Sequence, residues 1–113
     1  GATDDLEASR GLLAIGKTRQ ALFFAHLSME KGLKAHVCKK TADVAPRIHN
    51  LNRLADLAAL DLPDEMRDLL SDISAFNMEG RYPDQAAPLP DQREAVAHLD
   101  HVSEALEWLL RKL

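Results

Sequence analysis

The chain has 113 residues and a formal net charge of −4, with 46% hydrophobic, 28% charged and only 4% aromatic residues. This is one globular domain, too short for a second core and too apolar to be disordered. The absence of 18 consecutive apolar residues excludes a membrane-spanning helix. The single cysteine, Cys38, excludes an internal disulfide and a cysteine-based zinc site, and the acidic balance opposes broad electrostatic binding of nucleic acid. A reducing cytoplasm is the compartment expected from such cysteine usage.

The apolar residues are mostly leucine and alanine, which favours helices. In chain order, Thr3 reads as the N-cap of a first helix, with Asp4 and Asp5 in the turn where the helix dipole favours acids. Leu6, Leu12, Leu13 and Ile15 are its apolar residues, and Gly16 suits the left-handed position just past its end. Thr18 reads as the cap of a second helix running to about Lys39. Leu22, Ala25, Met29, Leu33 and Val37 form its main stripe, widened by Phe23, Phe24, Leu27, Ala35 and Cys38. A helix apolar over so much of its circumference is expected at the centre of a bundle. Asn50 caps a short third helix that turns Leu51, Leu54, Ala55 and Ala58 inward.

Pro63 fits the first turn of a fourth helix carrying Met66, Leu69, Leu70, Ile73 and Phe76, which Gly80 ends. The prolines at 83, 88 and 90 keep the following stretch out of regular helix. Asp91 and Glu94 then make a capping-box start for a last helix, expected to bury Val96, Leu99, Val102, Leu106, Leu109 and Leu110. No segment alternates with period two. The expected fold is all-α, an up-and-down bundle of four to five helices in one domain spanning residues 1–113.

Three strings add to this scaffold: AHLSMEKGLKA at Ala25 to Ala35, PRIHNLNRL at Pro46 to Leu54, and FNMEGRYPD at Phe76 to Asp84. Their order and spacing resemble the HEPN (higher eukaryote and prokaryote nucleotide-binding) family in its small stand-alone prokaryotic form. The resemblance implies a helical bundle that pairs as a homodimer. It also implies a nucleotide- or RNA-related role, often beside a minimal nucleotidyltransferase in a toxin–antitoxin pair. Some relatives are metal-independent ribonucleases, marked by an Arg and a His with four to six residues between them around the start of the last helix.

The ribonuclease chemistry needs both groups, His to take the 2′-hydroxyl proton and Arg to stabilise charge on the phosphate. Arg93 and His98 enclose four residues, and Arg19 and His26 enclose six. With eight arginines and five histidines in the chain, such pairs occur at about chance level. Only Arg93 and His98 lie at the start of the last helix. They diverge by about 140° on a regular helix, and Glu94 beside Arg93 repels phosphate. The pair is therefore carried as the alternative, an endoribonuclease, to a leading reading without nuclease activity.

Arg81 and Tyr82 are the foremost ligand-binding candidates, since a loop guanidinium can hold phosphate and a tyrosine can stack on a base. Against this stands a structural role, Tyr82 packing on the bundle end and Arg81 bridging to Asp84. Lys31 and Lys34 either line a phosphate groove or form ion pairs along the helix, Glu30 with Lys34 being the favoured spacing. His49 either touches the ligand or tethers its loop. His98 and His101 alone do not make a metal site, so no metal and no cofactor are expected.

Overall fold

The computed structural model describes residues 1–44, 46–75 and 89–113. Five helices are formed there: α1 (Ala2–Ala14), α2 (Thr18–Thr41), α3 (Leu51–Leu57), α4 (Asp64–Ser74) and α5 (Gln92–Arg111). There is no strand among the described residues, and the fold is an all-α bundle.

Local chemistry sets most boundaries. Gly16 takes φ +80°, its amide donates to the Leu13 carbonyl and that of Lys17 to the Leu12 carbonyl, the two bonds of a Schellman ending. The Asn50 side chain accepts from the Arg53 amide, and Asp91 accepts from the Glu94 amide at 2.8 Å while Glu94 reaches back to the Asp91 amide. The two threonine caps do not form. α1 starts at Ala2 with Gly1 as its cap, placing Thr3 inside the first turn. The Gly16 turn has reversed the chain by Lys17, which caps α2, so Thr18 is already helical. Pro63 is the cap of α4 rather than its first residue.

α2 touches all four other helices, as its wide apolar surface requires. Leu22, Ala25, Met29, Leu33 and Val37 are buried along it, while Phe23, Phe24, Leu27, Ala35 and Cys38 are half-buried at its margins. Residue pairing gives the directions. Arg10 meets Asp100 and Gln92 reaches the Leu13 carbonyl, so α1 and α5 are antiparallel. Lys31 meets Asp5, so α1 and α2 are antiparallel as well. α2 and α5 therefore run parallel, with His36 donating to the Leu109 carbonyl at 2.6 Å and Lys39 bonded to the Leu113 carbonyl. Gly32 lets these two helices approach, since a Cβ there would stand 3.0 Å from Leu106 Cδ1.

α5 buries Leu99, Val102, Leu106 and Leu109 as expected, but Val96 and Leu110 are each 40% exposed. The core stripe is instead completed by Ala95 and Ala105, small residues that let α5 lie close to its neighbours. Val96 and Leu110 each lie one residue, about 100°, past a core position. Phe76, Gly80 and the proline-rich stretch up to Pro88 lie outside the described residues.

Candidate functional site

Two places in the bundle gather polar chemistry. The first is centred on Glu30, which α2 points into the interior, leaving it 5% exposed. The loop entering α3 brings His49 against it, and His49 Nδ1 donates to Glu30 Oε1 at 2.9 Å. One turn along α2, Lys34 donates to Oε2 at 3.0 Å. His26, one turn earlier and 1% exposed, donates through Nε2 to the His49 carbonyl at 3.2 Å, with Nδ1 3.9 Å from Glu30 Oε1. Burial alone pushes the Glu30 carboxyl up. The hydrogen bonds and charges of His49 and Lys34 outweigh it and hold Glu30 below the usual value. The result is an ionised carboxylate with both oxygens engaged, fastening the α3 loop to the central helix.

Lys31 points to the other side of α2 and pairs with Asp5 at 2.6 Å. Lys34 and His49 thus meet at one carboxylate, whereas Lys31 stands apart from them.

The second place is a groove of about 560 Å³ between α4 and α5. α4 is held at its outer wall by Arg67, which pairs with Asp56 at 2.8 Å and donates to the Asn52 carbonyl, fixing α4 on α3. The groove floor is apolar, made by Met66, Leu69, Ala105 and Trp108. Its walls carry Glu65, Asp68, Asp72 and Glu104 against one guanidinium, that of Arg111. His98 and His101 also line it. Burial lowers the proton affinity of His98, with Asp72 opposing this and His101 adding to it, so its ring titrates below an ordinary histidine. Arg93 is exposed and does not line this groove, so the two halves of the Arg-x4-His pair face different surroundings.

The family model for the HEPN domain matches residues 1–113, the whole chain. The chain belongs to the HEPN domain family. Among solved structures it is similar to TT1696 from Thermus thermophilus, known from its crystal structure. The two are 25% identical with a TM-score of 0.79, over 99% of this chain and 92% of that one. Comparison with proteins of curated function finds no match.

The HEPN domain is thus a nucleotide- and RNA-related helical module, and its strings can be placed on this bundle. The α2 string and the PRIHNLNRL string meet at the Glu30–His49 bond. The third string, with Arg81 and Tyr82, lies outside the described residues. Among those residues no three His, Cys, Asp or Glu side chains are grouped to hold a metal ion, and no helix is long and apolar enough to cross a membrane.

Sequence reasoning weighed His26 only with Arg19 and missed its place beside Glu30 and His49, and it missed the acidic wall of α4. His26 stands four residues before Glu30, a signal that it shares its face. Glu65, Asp68 and Asp72 recur at three and four, which marks an acidic stripe once α4 is assigned.

Proposed function

We propose that this HEPN domain works as a homodimeric nucleotide- or RNA-binding and interaction module, without nuclease activity, that partners a minimal nucleotidyltransferase in a toxin–antitoxin-like pair. The nucleotide- or RNA-related role is supported by the family match, and the observation that speaks against nuclease activity is the setting of His98. It faces Asp72 in a groove that, among the described residues, has four carboxylates and a single guanidinium, away from Arg93. An RNA phosphate brought to His98 would meet negative potential instead of the positive charge its transition state needs. Nucleotide contacts are assigned to Arg81 and Tyr82. Lys31, Lys34 and His49 stay candidates, although each would have to exchange its present carboxylate partner for a phosphate.

The endoribonuclease reading keeps one observation in its favour. Burial keeps the His98 ring neutral near pH 7, the form a general base requires.

The deciding experiment incubates purified protein with single-stranded RNA, with and without chelator, beside the Arg93→Ala and His98→Ala variants. The expected result is intact RNA throughout. Cleavage by the parent protein, abolished in both variants, would install the nuclease reading. Co-expression with a nucleotidyltransferase from the same host tests the partner, which should be retained through purification.

A further inference from the structure

The charge of the α4–α5 groove decides what can enter it. Glu65, Asp68 and Asp72 share one face of α4, and Glu104 adds a carboxylate from α5. Arg111 is the one fixed positive charge among the described lining residues, and it stands on the last turn of α5, where Lys112 also lies over Trp108. Across the groove from Asp68 and Asp72, α5 adds His98, His101, Glu104, Ala105 and Trp108 to the described lining. Beneath the carboxylates, Met66, Leu69 and Trp108 leave an apolar floor that α4 and α5, meeting at few residues, do not close.

Charge rules against two occupants. A nucleic-acid backbone would set phosphates against carboxylates. A second copy of this chain, related by a two-fold axis through the groove, would set the same carboxylates against themselves. A cationic occupant with apolar side chains satisfies both the walls and the floor. The acidic stripe spans eight residues of α4, about 10 Å or two helical turns. The seam between two helices is the geometry into which a third packs.

We propose that this groove receives a basic amphipathic helix from another protein. Its apolar side chains, at spacings of three and four, sit on Met66, Leu69 and Trp108, while flanking lysines or arginines face Asp68, Asp72 and Glu104. The inference rests on the reading of the chain as an interaction module and adds the surface and the chemistry of the partner segment.

The test uses a synthetic leucine–lysine helical peptide of roughly 14 residues, long enough to form a helix on docking, and a counterpart with glutamate in place of lysine. Trp108 is the only tryptophan, so its emission reports binding at the floor. The lysine peptide should bind at micromolar concentration and shift that emission, and the glutamate peptide should not. Asp68→Asn with Asp72→Asn should weaken binding about tenfold at low salt, two lost ion pairs. Asp4→Asn with Glu7→Gln, the same charge change on the exposed side of α1, should alter it less than about twofold.

Equal losses in the two double variants would reduce the effect to net charge and overturn the proposal. Full displacement of the peptide by stoichiometric spermidine would assign the groove to a small polycation instead. A dimer dissociated by Leu69→Lys, with helicity intact by circular dichroism, would make the groove the self-seam. If a nucleotidyltransferase is retained equally by the parent and by the Asp68→Asn/Asp72→Asn protein, the groove assignment fails while the interaction reading stands. If peptide binding follows the groove acids but no transferase is retained, the partner reading fails and the groove assignment stands.

Discussion

Glu30 carries more structural consequence than any other charged residue described in the bundle. Its carboxylate is buried, and removing it leaves His49 and Lys34 without their common acceptor. Glu30→Ala should therefore cost about 2–3 kcal/mol in urea unfolding, as expected when one partner of a buried, hydrogen-bonded charge cluster is lost. The ion pair of Lys31 with Asp5 is different, because the Lys31 side chain is 44% exposed. Lys31→Ala should change stability by less than about 1 kcal/mol.

Two groups predict a stepped pH dependence. The folded state lowers the proton affinity of His98, so the unfolded chain binds more protons as pH falls through 6.5. That contribution is complete above 6.5 and is lost as pH drops through the lower folded value. Glu30 behaves in the same sense below its ordinary value of 4.5. Melting temperature should be flat from pH 7 to 8, fall below 6.5, and fall again below 4.5. His98→Gln should remove the first step and Glu30→Gln the second. A first step unchanged in His98→Gln would show that another group titrates there.

Among the elements, the caps separate what was legible in the sequence from what was not. Asn50, the Asp91–Glu94 box and Gly16 were readable because each bond they make closes within a few residues. Asn50→Ala should cost about 1 kcal/mol, measured by thermal melting. Thr3 and Thr18 misled because their identity suits a cap, while the actual starts are set by Gly1 and by the Gly16 reversal. The helical stripes fixed the core positions of α2 almost completely. They failed at Val96 and Leu110, where helix rotation is settled by neighbours distant in sequence.

The same reason hid half of the candidate site. Glu30 with Lys34 is a local pair and was anticipated, whereas its bond to His49 spans 19 residues and depends on how α3 is brought back. Gly32 was also silent in the sequence, since only the α2–α5 approach gives it meaning. Gly32→Leu would drive a branched side chain into Leu106 and Leu109, and overpacking of this kind should cost about 2–3 kcal/mol. An unchanged melting temperature would mean that α5 can move away freely.

For the whole molecule, the placement of charge and apolar surface favours two separate interfaces. The acidic groove uses the side of α5 that carries His98, His101, Glu104 and Trp108. Val96 and Leu110 are 14 residues apart, hence within about 40° of each other, and point roughly 140° away from that side. Asp100, already paired with Arg10, and Glu107 flank these two apolar side chains, so a copy docking on Val96 and Leu110 across a two-fold axis avoids the four groove carboxylates. The proposed homodimer, seated on this face, should tie stability to concentration, because mass action favours a dimer and not the unfolded chain. A tenfold rise in protein concentration is worth about 1.4 kcal/mol per dimer, or roughly 3–6 °C in melting temperature for two chains of this length. Val96→Glu with Leu110→Glu should give the monomer mass by light scattering and a melting temperature independent of concentration. Both positions are exposed, so helicity should be retained. A dimer that survives both substitutions would move the seam off this face of α5.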